Sequence, residues 1–141
     1  MPLARRNRKE FQILAELRVH EAGLLLKNGA EQGAYYLGGF AVECALKACI
    51  AKQTEQHEFP PDRKYTDKAY SHDLKELLKL AGLGDRLVAD MVGKPGLGAS
   101  WNVVKDWSVE SRYETSGLKA MEMYNAVTSP DGVLRWLKLH W

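Results

Sequence analysis

Cysteine, proline, long apolar runs and an excess of charge of one sign are all scarce in this chain. Two cysteines in 141 residues exclude a disulfide framework, and 12 Gly with 5 Pro exclude collagenous and low-complexity chains. No run reaches the ~18–20 apolar residues of a membrane span. The segment after the basic start, EFQILAELRVHEAG, has neither the continuous apolar stretch nor the small-residue cleavage site of a secretion signal. Charge is nearly balanced, with 20 Lys and Arg against 18 Asp and Glu. Four of the 20 are Arg5, Arg6, Arg8 and Lys9, with no acid among the first nine residues, so the remaining 132 residues carry a net −2. A surface coated in nucleic-acid-binding charge is thereby excluded.

What is there is 45% hydrophobic, enough for one core, and points to a single domain over 1–141 with residues 1–9 as a fraying basic tip. Cys44 and Cys49, five apart on one helix, face about 140° from each other and cannot pair within it. They are expected as reduced, buried apolar residues of a cytoplasmic protein with no membrane contact.

Apolar residues at helical spacing (Phe11, Leu14, Leu17, Leu24, Leu25) predict a helix over about 8–27, closed by Asn28-Gly29. The run GAYYLGGFAVECALKACIAK is apolar almost all the way round and predicts a central helix. Gly38 and Gly39 inside it cost about 1 kcal/mol each relative to Ala, so close packing or a ligand against bare backbone must offset them. Gln53 to Ser71, with Pro60-Pro61, reads as a long loop. Asp73 then caps a helix carrying Leu74, Leu77 and Leu78, with Glu76 in the capping-box position and Gly82 or Gly84 as its stop. A short helix follows over about 85–92. GKPGLGASWNVVKDWSVESRYE reads as a flexible glycine loop followed by extended chain, SGLKAMEMYNAV as a helix, and Ser129-Pro130 as the cap and first position of a last one. The expected fold is an all-α, up-and-down bundle of five to six helices.

Two polar constellations stand out. Glu43 and Lys47 are four apart with the acid first, as an intrahelical ion pair requires, on a helix apolar enough to bury them partly. They form either a narrow polar rim or a site completed by an Arg, a phosphate or another subunit. Trp107, Ser108, Glu110, Arg112 and Tyr113 cluster in DWSVESRYE. A guanidinium with aromatics suits a nucleotide, and the same residues can equally pin the loop to the bundle, with Arg112 paired to Glu43 or Glu110. Neither a P-loop nor a dinucleotide fingerprint is satisfied around Gly93, Gly96 and Gly98. His20, His57, His72 and His140 have no metal-site spacing, so neither metal nor cofactor is expected. A Cys44 and His72 pairing would imitate a thiol nucleophile, but a thiol in so apolar a helix is suppressed.

The run VECALKA (Val42 to Ala48), the HDLKELL stretch, SRYE (Ser111 to Glu114) and a final helix resemble the HEPN domain family over roughly Arg8 to the C-terminus. The resemblance implies an up-and-down helical bundle, a homodimer, association with nucleotides or RNA, and a minimal nucleotidyltransferase as partner in a toxin–antitoxin-like pair. Family ribonucleases carry Arg, four to six residues, then His, which places a cation and an acid/base group at RNA. Arg112 stands where that Arg is expected, but Gly117, Leu118 and Lys119 occupy the positions of the His. A literal match, Arg135 and His140, lies in the last helix. The expectation is a non-catalytic binding or accessory protein using Glu43, Lys47, Trp107, Ser108, Arg112 and Tyr113. The alternatives are a metal-independent ribonuclease using Arg135 and His140, or a dimeric scaffold.

Overall fold

The computed structural model describes residues 6–57 and 63–141; Met1 to Arg5 of the basic tip, and Pro60-Pro61 within the expected loop, lie outside the described residues. Among the described residues the chain is all-α with no strand. In order come α1 (Arg8–Lys27), α2 (Glu31–His57), α3 (Arg63–Ala69), α4 (Leu74–Leu80), α5 (Gly84–Gly93) and α6 (Pro95–Val104). A 3₁₀ turn (Val109–Tyr113), α7 (Ala120–Thr128) and α8 (Val133–Lys138) complete it.

Helix α2 is the central element, packed by α1, α4, α7, α8 and the 3₁₀ turn. It buries Ala41, Val42, Cys44, Ala45, Leu46 and Ala48 almost completely. Around it Leu74, Leu77, Leu97, Met123 and Leu137 are also fully buried, each contributing roughly 1.5–3 kcal/mol. The stretch Glu31–Thr54 is long and apolar enough to cross a membrane, although 67% of its most apolar window is buried inside the bundle. Its apolar character is that of a core helix.

The glycines of α2 are explained by close packing. A Cβ on Gly38 would meet Met123 Cγ at 3.3 Å, and one on Gly39 would lie inside the indole ring of Trp107. Bare backbone here lets two large side chains seat directly on the helix.

Several local signals hold. Asn7 accepts from Glu10 N while the Glu10 side chain accepts from Asn7 N, a complete capping box that starts α1 within the basic tip. Arg8 is not part of a fraying end, because its guanidinium donates to the Trp141 carbonyl at 2.6 Å. Asn28 caps the C-terminus of α1, followed by Gly29 at φ 77°. Asp73 caps α4 by accepting from the amides of Lys75 and Glu76. Glu76 does not return the bond to Asp73; it accepts from Ser71 Oγ at 3.0 Å instead.

Six expectations are corrected. Among the described residues eight α-helices form rather than five to six, and the segment expected as extended chain holds the 3₁₀ turn Val109–Tyr113. Part of the supposed loop, Arg63–Ala69, is helical. The supposed flexible glycine loop is α6, where Pro95 takes the first turn and Leu97, Ser100 and Val104 are buried; tertiary packing overrides the weak helix propensity of Gly96 and Gly98. Ser129 ends α7 rather than opening the last helix, and Gly132 precedes α8. On α1 the inward residues are Ala15 and Ala22, both fully buried, whereas Leu17 and Leu24 are 44% and 48% exposed. The small alanines bring α1 close to α2 and turn its larger residues outward.

Candidate functional site

Glu43 is only 2% exposed, and burying a carboxylate is costly unless it is paired and hydrogen-bonded. Both oxygens are engaged. Lys47, one turn along, places Nζ 3.4 Å from one, and His72 Nδ1 lies 2.8 Å from the other. The intrahelical pair expected from sequence is therefore present, and the histidine completes it.

His72 owes its position to the turn that starts α4. Asp73 is fixed as the cap, and Ser71 Oγ accepts from Asp73 N at 3.0 Å while donating to Glu76. An ionised carboxylate only accepts, so against Glu43 the hydrogen sits on Nδ1 and Nε2 is the free nitrogen. The His72 side chain is 54% exposed, which makes it the link between the buried acid and solvent.

That exposed ring lines a cleft of about 300 Å³ together with Asp73, Lys75, Lys105, Asp106, Trp107, Ser108 and Val109. The start of α4 forms one wall, and the segment joining α6 to the 3₁₀ turn forms the other. Lys75 reaches across to Asp106 at 3.4 Å, an exposed pair that contributes little. Lys105 makes no ion pair among the described residues. Ser108 Oγ accepts from Glu110 N at 3.1 Å and so caps the 3₁₀ turn. Trp107 is buried, seated on Gly39, with its ring 5.8 Å from Tyr36, which in turn stacks on Phe40. Its role is to hold that wall against α2.

Further along the turn, Arg112 lies 5.0 Å over the ring of exposed Tyr113. Hydrogen bonding to the Tyr113 hydroxyl, with a smaller contribution from Tyr36, holds the Arg112 guanidinium even more firmly protonated than usual. Arg112 pairs with neither Glu43 nor Glu110 among the described residues. Tyr36 thus lies beside the buried Trp107 ring and near enough to Arg112 to favour its charged form.

The six expected site residues divide accordingly. Glu43 and Lys47 form the buried pair, Trp107 and Ser108 belong to the cleft wall, and Arg112 and Tyr113 make a neighbouring solvent-facing cation–aromatic surface. His72, Lys75 and Lys105 were missed as site residues. The available signal was the carboxylate on an apolar helix, which demands a donor from elsewhere in the chain.

Arg135 is exposed on α8, and His140 follows that helix with its ring 4.8 Å from Trp136. Burial, then Arg86, lowers the His140 pKa below its ordinary value, partly opposed by Asp90. His140 Nε2 is buried with no hydrogen-bond partner. The two cysteines are free and buried, and burial pushes each thiol up to about 12, which leaves almost no thiolate near neutrality. Among the described residues no group of three His, Cys, Asp or Glu is placed to hold a metal ion.

Comparison with known proteins adds no assignment: no family model, curated protein or solved structure matches the chain.

Proposed function

We propose that this protein is a HEPN-like helical bundle that binds a phosphorylated ligand, a nucleotide or an RNA end, as the non-catalytic partner of a minimal nucleotidyltransferase. The observation that carries this reading is the cleft of about 300 Å³ lined by His72, Lys105 and Ser108, with the Arg112–Tyr113 pair further along the 3₁₀ turn that follows Ser108. A phosphate would take the charge of Lys105 and a hydrogen bond from the Ser108 hydroxyl, and an aromatic ring would stack at Tyr113. Because only one or two cations take part, affinity should depend weakly on salt, unlike that of a broad basic face. Calorimetry with AMP, ATP and a short single-stranded RNA tests this. Lys105→Ala and Arg112→Ala should each weaken binding by about tenfold, the scale of one charged hydrogen bond. Absence of binding by the wild type to all three ligands would sink the reading.

The Glu43–His72 pair supports a second reading, a metal-independent ribonuclease whose acid/base group is His72 rather than His140. A carboxylate on Nδ1 fixes the tautomer and leaves Nε2 to exchange a proton with a 2′-hydroxyl. It predicts RNA cleavage in the presence of a chelator that is lost in His72→Ala and retained in His140→Ala. Cleavage lost only in His140→Ala would return the activity to α8.

A further inference from the structure

Lys75 and Asp106 line the same cleft but take no part in the phosphate contacts proposed for Lys105 and Ser108. They stand on opposite walls, Lys75 in the first turn of α4 and Asp106 between α6 and the 3₁₀ turn. Their side chains meet across the cleft, Nζ to Oδ1 at 3.4 Å. The two acids of the cleft are not equivalent. Asp73 is committed to the amides of Lys75 and Glu76 as the cap of α4. Asp106 is committed to Lys75, and both of these side chains are more than half exposed.

An exposed ion pair is weak enough for a competing anion to part it. The charge of that anion decides whether the exchange is favourable. A phosphodiester carries one negative charge, as the Asp106 carboxylate does, so it gains at Lys75 no more than Asp106 loses. A terminal phosphate carries about −1.5 to −2 near neutrality, enough to neutralise Lys75 and Lys105 together. The displaced Asp106 carboxylate turns to water, so no buried, unpaired charge is left behind.

We infer, on the basis of phosphate binding in this cleft, that Asp106 is a built-in competitor for the ligand: it holds Lys75 across the cleft in the free protein until a doubly charged terminal phosphate displaces it. A singly charged diester does not gain Lys75 in this way. The cleft thereby selects the terminal phosphate of a nucleotide over a phosphodiester within a strand. Selection acts through charge at one lysine and needs no contact with the base.

Calorimetry of the full chain at low salt with AMP and with cyclic AMP compares a monoester and a diester of the same nucleoside. Lys75→Met should weaken AMP binding about fivefold, the effect of one unit charge at ion-pair distance in water, and change cyclic AMP binding by no more than about twofold. The lysine variant carries the test, because the cyclic nucleotide also differs in shape. Asp106→Asn should tighten both nucleotides about fivefold, since neither then has a competitor. With Asp106→Asn in place, Lys75→Met should weaken both alike. Circular dichroism should be unchanged in every variant, as both positions are exposed. AMP binding that Asp106→Asn leaves unaltered, or a Lys75→Met effect equal for the two nucleotides in the otherwise wild-type chain, overturns the competitor while phosphate binding in the cleft stands. If the wild type and all variants bind neither nucleotide, phosphate binding in the cleft fails and the competitor falls with it.

Discussion

His72 and His140 belong to regions built on opposite principles. Around His72, a buried carboxylate needs donors, so the ring is held by one nitrogen, and the residue lines a cleft. Around His140, the ring is packed on Trp136, its Nε2 is buried without a partner, and burial favours the neutral form. The first arrangement fixes a half-exposed ring against a buried acid; the second packs a ring against an indole.

The largest effect on this contrast should come from the floor of the His72 region. Gly39→Ala puts a methyl group where the Trp107 ring lies, and should destabilise by about 2–3 kcal/mol, the cost of overpacking a core. Thermal unfolding should show a clear drop in Tm and loss of ligand binding, since Trp107 supports the cleft wall. An unchanged Tm would mean that the indole has room to move.

Glu43→Gln should have a smaller effect, about 2 kcal/mol or less by denaturant unfolding, because the mostly buried Lys47 loses its counter-charge while His72 can still donate to the amide oxygen. Lys47→Met combined with Glu43→Gln should recover part of that loss. If the single variant is neutral, Lys47 finds solvent and the pair is only a rim feature.

The smallest effect concerns His140. The folded chain binds its proton less tightly than the unfolded chain, so its contribution to stability is complete above about pH 6.5 and fades as the pH falls below that value. NMR titration should place its midpoint below 6.5, and His140→Gln should slightly reduce the acid sensitivity of unfolding. A midpoint at or above 6.5 would mean that burial does not govern the protonation of His140.

Much of the local structure was legible because it depends on residues a few positions apart. Asp73 caps α4, Asn28-Gly29 closes α1, and Glu43–Lys47 pair across one helical turn. The errors arose where packing outweighed local preference. The glycines of α6 and the register of α1 are set by what lies across the bundle, and local propensity differences are small beside the burial of several large side chains. Arg112 illustrates the same limit: its candidate partners in sequence were acids, but in the structure it lies over Tyr113.

From sequence alone, this protein is determined to be a helical domain with a central apolar helix, a nearly neutral charge and one embedded acid that must find partners. Only the tertiary structure decides that His72 is among those partners, that Trp107 rather than a ligand covers Gly39, and that the leucines of α1 face outward. The physical reason is range: caps and ion pairs within a helix act over one turn, whereas burial is decided by segments brought together from distant parts of the chain.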